Sequence, residues 1–125
     1  MNNLTQNSVK PVNFSKIWEN SGGRKKFLVD LLRSIVDGLK NYPVLIDDAV
    51  NKKQYEELKN TAHKCKSCIN YLFHEELNNL LESLEEDGKQ KNIDAATTEN
   101  NVRLKVVTSA ILPVVQQHLN QLERL

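Results

Sequence analysis

Apolar residues along this chain recur at the three- and four-residue spacing of helices buried on one side, and nowhere do they alternate for long enough to build a sheet. The clearest run follows Arg24, where Phe27, Leu28, Leu31, Leu32, Ile35, Val36 and Leu39 form one stripe. Pro43 interrupts it. Proline removes an amide donor and crowds the preceding turn, so residues 44–50 are predicted to be a kinked continuation. Residues 51–54 turn the chain into a second helix. With side chains roughly 100° apart around the axis, Leu58, Ala62, Cys65, Cys68, Ile69 and Leu72 share its inner side. Glu56, Lys59, Asn60, Lys66, Ser67 and Asn70 fall within about 60° of His63 on the outer side. Residues 73–75 turn out of this helix. In the next, Leu77, Leu80, Leu81 and Leu84 face inward, Glu75, Glu76, Glu82, Glu85, Glu86 and Asp87 are solvated, and Gly88 terminates it. Residues 89–101 read as a polar loop, with a last helix beginning near Thr98, Glu99 in its first turn. Val102, Val106, Ala110, Val114, Leu119 and Leu122 are its expected inner face, and Pro113 should bend it.

Ahead of these, a short helix with Phe14, Ile17 and Trp18 on one face is capped by Asn13 or Ser15 and stopped by Ser21-Gly22-Gly23. Residues 1–12 are polar, with Pro11 near their end, and are expected to be loosely ordered. The pattern predicts an all-α, up-and-down four-helix bundle with a short additional N-terminal helix, divided as a flexible segment 1–12 and a single helical domain 13–125.

At 125 residues the chain is one domain by size and can bury about two thirds of the surface its unfolded form exposes. A formal net charge of +1 gives no basic excess of the kind that nucleic-acid binding requires, so charge has to be read locally. No apolar run approaches the roughly 18 residues of a membrane span, and the N-terminus lacks a signal-peptide apolar segment. A cytoplasmic protein is expected. Cys65 and Cys68 lie one turn apart, where a bridge would close little chain entropy.

The outer face of the second helix carries the candidate chemistry. An exposed imidazole beside cations suits attack on phosphorus, because an ordinary histidine is largely neutral at neutral pH and needs no separate base. Lys59, Lys64 and Lys66 can offset the charge of a phosphoryl group, and small Ser67 permits close approach. The segment Ala62-His63-Lys64-Cys65-Lys66-Ser67 resembles the Ala-His-x-Leu-Lys-Gly signature of histidine-containing phosphotransfer (HPt) domains. The likeness extends upstream through Ala49, Asn51-Lys52-Lys53, Tyr55 and Leu58, and downstream through Leu77, Leu80, Leu81, Leu84 and Glu85. Cys65 stands in place of the family's Leu, Ser67 in place of its Gly, and Phe73 where many members turn the chain with Gly.

The resemblance implies that His63 is the phosphoacceptor and that Lys66 stabilises the phosphoryl group. Lys59, Asn60, Lys64, Ser67 and Asn70 would then lie on the docking face for response-regulator receiver domains, with a hybrid histidine kinase as a further partner. The chain would carry no cofactor and no metal of its own, Mg²⁺ being supplied by the receiver. It would be a monomer without kinase activity, and no glycine-rich nucleotide loop is present in the sequence. Two other readings stand beside this one. The same helices could dock a receiver or other helical partner without phosphotransfer, or Cys65-x-x-Cys68 could serve redox or metal sensing, although both cysteines fall on the inner face where packing is the simpler role. His74 and His118 read as surface or helix-end residues.

Overall fold

The computed structural model describes residues 9–125, and among them the chain is all-α with no strand. Its helices are α1 (Phe14–Asn20), α2 (Lys25–Asn51), α3 (Tyr55–Ile69), α4 (Glu75–Lys89) and α5 (Ala95–Glu123), with one 3₁₀ turn, Asn70–Leu72, after α3. The packed pairs are α2/α3, α3/α4, α4/α5 and α5/α2, so each of the four longer helices rests on two others. Between them lie the fully buried Leu32, Ile35 and Ile46 of α2, Leu58 and Ile69 of α3, Leu77, Leu81 and Leu84 of α4, and Leu104 of α5. Each such side chain removed from water contributes roughly 1.5–3 kcal/mol before chain entropy is counted. No helix among the described residues is long and apolar enough to cross a membrane.

Local chemistry sets most boundaries. Asn13 caps α1 through its Oδ1, which accepts from the Lys16 amide at 3.1 Å. Gly22 and Gly23, at φ +68° and +70°, reverse the chain after it. α2 runs through the buried Pro43 to Asn51 as one helix, so the continuation expected there is present. It ends in a Schellman turn: the Lys53 amide bonds to the Val50 carbonyl and the Gln54 amide to that of Ala49. Lys53 takes the left-handed position usually given to glycine, at φ +53°. Phe73 does the same between the 3₁₀ turn and α4 at φ +55°, so the position where many HPt domains have Gly is left-handed here in spite of the ring.

Three expectations are corrected. Gly88 does not terminate α4. It is buried inside the helix, and the left-handed residue of the closing Schellman turn is Lys91, whose amide bonds to the Gly88 carbonyl while that of Asn92 bonds to Asp87. The polar loop is shorter than 89–101, because α5 starts at Ala95. Asp94 and Thr97 form a capping box: Asp94 Oδ1 accepts from the Thr97 amide at 3.1 Å and Thr97 Oγ1 from the Asp94 amide at 3.2 Å. The inner face of α5 is also rotated. Leu104, Val107, Thr108, Ile111, Val115 and Leu119 are buried, whereas Val102 and Val114 are about half exposed at 52% and 47%. Of the expected stripe, only Leu119 is fully inside, with Val106, Ala110 and Leu122 half-buried.

Of the segment 1–12, residues 1–8 lie outside the described residues. Val9 and Val12 lean on the core, and the Lys10 carbonyl accepts from His74 Nε2 at 2.8 Å. α1 follows with Ile17 buried and Trp18 partly exposed. Phe14 stacks on His118 of α5, ring centroids 4.0 Å apart.

Candidate functional site

His63 sits in the middle of α3 with its side chain 62% exposed, while Ala62 and Cys65 beside it are fully buried. The apolar side of the helix thus seats it against the core and the imidazole points outward. Leu58, Ile69 and Leu72 complete the inner face as expected. α4 lies antiparallel alongside and brings Glu85 across: its Oε2 is 3.0 Å from His63 Nδ1. The second oxygen, Oε1, is 3.2 Å from Lys66 Nζ, a charge contact whose angle is not that of a hydrogen bond. Glu82 stands 3.8 Å from the same ammonium.

Glu85 was expected to be solvated, and this is corrected: it is half-buried between the two helices, its side chain 24% exposed. Burial pushes its pKa up, but contact with Lys66 and His63 outweighs this and holds the carboxyl below its ordinary value. An ionised carboxylate only accepts hydrogen bonds, so His63 Nδ1 must carry the proton. In the neutral ring the lone pair then lies on Nε2, which has no hydrogen-bond partner among the described residues. The sequence places Glu85 in the likeness but gives it no part in the site, because it is one of several acids on α4. Its spacing from Leu81 and Leu84, which puts it at the edge of the buried stripe, is the signal that could have found it.

The other candidates divide. Lys66, half-buried, joins the His63–Glu85 pair. Lys59 pairs instead with Glu56 on its own helix at 2.9 Å, and that contact lowers the Glu56 pKa. Asn60, Lys64, Ser67 and Asn70 are exposed along the same outer face. Ser67 and Asn70, with Lys66, Asn78 and Glu82, line a shallow depression of about 260 Å³ beside the histidine. A cavity of about 560 Å³ lies elsewhere, around Lys10, Phe73 and His74, and contains none of these groups.

The remaining histidines and cysteines are engaged in structure. His74 is a helix-end residue, but a buried one at 3% exposure: Nδ1 accepts from the Leu77 amide at 3.2 Å, capping α4, while Nε2 donates to Lys10. Burial lowers the His118 pKa. Burial and the neighbouring Cys68 push the Cys65 thiol up to about 12, and burial raises Cys68 as well. Burial thus favours the protonated thiol over the reactive thiolate at both positions. Cys68 is half-buried and not fully on the core face. Its Sγ donates to the Ser34 carbonyl at 3.4 Å. Among the described residues no group of three or more His, Cys, Asp or Glu is placed to hold a metal ion.

No family model, curated protein or solved structure matches the chain.

Proposed function

We propose that this chain is a histidine phosphotransfer protein of a two-component phosphorelay, taking a phosphoryl group on His63 from a receiver-domain aspartate and passing it to another receiver. The observation that carries the reading is the outward-facing imidazole anchored through Nδ1 on Glu85, within the Ala-His-x-x-Lys motif. The mutual packing of α2, α3, α4 and α5 supports an up-and-down four-helix bundle of the HPt kind, with α1 as an additional helix.

In the forward step the Nε2 lone pair attacks phosphorus, an N–P bond forms, and the P–O bond to the receiver carboxylate breaks with its electron pair leaving on that carboxylate. Because Nδ1 keeps its proton, the phosphorylated ring is cationic. Glu85, fixed against it, offsets that charge and favours the product. Lys66 in turn neutralises Glu85 and supplies a cation near the incoming phosphoryl oxygens. The exposed face of Asn60, Lys64, Ser67 and Asn70 surrounds the nucleophile and suits the acidic pocket of a receiver, whose Mg²⁺ belongs to the receiver.

The test is incubation with a phosphorylated receiver, followed by assay of the chain for acid-labile, alkali-stable phosphate. Labelling of wild type and not of His63→Gln is the expected result. A wild-type chain that binds the receiver yet is never labelled is instead a docking module without phosphotransfer.

A further inference from the structure

We propose that Gly88 is a positioning residue for the His63 site: its missing side chain lets α4 approach α3 closely enough for Glu85 to reach the imidazole. The functional consequence rests on the phosphotransfer reading, whereas the geometry does not. Lys59 stands opposite Gly88, His63 opposite Glu85 and Lys66 opposite Glu82 across the antiparallel pair. The glycine contact is therefore one helical turn from the histidine contact on both helices.

A Cβ at position 88 would lie 2.6 Å from the Lys59 backbone nitrogen and 2.7 Å from the Tyr55 carbonyl oxygen. These atoms belong to the hydrogen-bonded first turns of α3 and cannot swing aside as a side-chain tip can. Ordinary contact begins near 3.4 Å, so the helices must part by about 0.8 Å at this level. The His63–Glu85 bond, 3.0 Å long, lies near the outer limit of a good N–H···O bond of about 3.2 Å, and a comparable separation one turn away takes it beyond that limit. No longer carboxylate exists to bridge the gap. Gly38 offers the contrast. A Cβ there would meet Cys68 Sγ at 2.7 Å, on the α2 flank of α3, and would bear on a side chain remote from Glu85.

The experiment compares wild type, Gly88→Ala, Glu85→Ala, the double variant and Gly38→Ala, with ¹⁵N NMR of the His63 ring beside the rate of receiver-driven transfer. In wild type the Nδ1-protonated tautomer should predominate. Gly88→Ala should remain folded by circular dichroism, shift the tautomer ratio toward that of Glu85→Ala, and slow transfer at least about fivefold. In the Glu85→Ala background it should add no further loss, because both changes remove one interaction. Gly38→Ala should leave the tautomer as it was. An unchanged tautomer in folded Gly88→Ala, additive losses in the double variant, or the same shift in Gly38→Ala would overturn the proposal. So would a Gly88→Ala chain that fails to fold even in trimethylamine N-oxide, since the glycine then serves the fold and not the site. If no phosphodonor labels wild type, the phosphotransfer reading fails, while the tautomer comparison still decides the role of Gly88.

Discussion

His63 and His74 lie on either side of the turn that ends α3, and each holds a hydrogen bond at Nδ1, yet the two bonds run in opposite directions. His63 donates there to a carboxylate, which leaves Nε2 open on a surface. His74 accepts there from a backbone amide and spends Nε2 on the Lys10 carbonyl, which leaves nothing open at 3% exposure. The same side chain is thus a candidate nucleophile in one place and a helix cap in the other. The polarity of the Nδ1 bond and the exposure of Nε2 make the difference.

The largest break in that comparison comes from His63→Gln, which should reduce phosphoryl acceptance at least about a hundredfold while leaving the urea midpoint nearly unchanged, since exposed substitutions seldom move stability by more than about 0.5 kcal/mol. His74→Gln should accept phosphate as wild type does, and equal loss in both variants would end the distinction. Glu85→Gln keeps a hydrogen-bond acceptor for Nδ1 but removes the charge. Transfer should slow roughly tenfold or more, by analogy with other preorganised charges at reaction centres, and a rate equal to wild type would mean that Glu85 only orients the ring. Lys66→Ala should slow receiver-driven transfer severalfold, with a deficit that shrinks as salt is raised and charges are screened. Next comes His74→Ala, which deletes the α4 cap and should cost about 1–2 kcal/mol in urea unfolding with no effect on transfer by the folded fraction.

The smallest effect concerns pH. Glu85 and Glu76 both titrate below the ordinary range: burial opposes the shift in Glu85 and Lys66 and His63 overcome it, while Glu76 is lowered chiefly by its hydrogen bond to Arg103. A carboxylate with a depressed folded pKa stabilises fully above its unfolded value, about 4.3, and loses that contribution as pH falls through the folded value. Urea midpoints should therefore decline below about pH 4, less steeply in Glu76→Gln, after a smaller loss as pH falls through about 6.5, where protonation of His118, disfavoured by its burial, begins to favour the unfolded chain.

How much of this was legible in the sequence depended on how cleanly each helix separates its two faces. α3 separates them well, and its buried Leu58, Cys65 and Ile69 and its exposed His63 all lie where the spacing predicts. α5 does not. Apolar residues surround it and its buried stripe opens with the polar Thr97 and Asn101, so a stripe started at Val102 selects the wrong side. The Asp94-x-x-Thr97 cap was readable in principle as a short polar residue followed three positions later by another. Gly88 was not, because a terminating glycine and one buried at a helix crossing look alike until the neighbouring helix is in place. The left-handed Lys53 and Lys91 carry no compositional mark at all. Of the site, the motif on α3 could be read, while Glu85 depends on a register between α3 and α4 that only tertiary packing supplies.

The helices differ in length in a way that divides the molecule along its axis. α2 and α5 have 27 and 29 residues against 15 each for α3 and α4, which at 1.5 Å per residue is about 40 Å against about 22 Å. Near Arg33 and Glu123 the long pair runs on together, and there α1 closes the end with Ile17, Phe14 resting on His118. That end is closed by one short helix, which also rests on the 3₁₀ turn after α3, whereas His63 lies about two turns back, where α3 and α4 flank each other closely. Amide exchange should register the division as two protection levels, with α1 opening sub-globally while the α3 amides around His63 exchange only on global unfolding. Two such levels would mean that the tip can loosen without moving the imidazole.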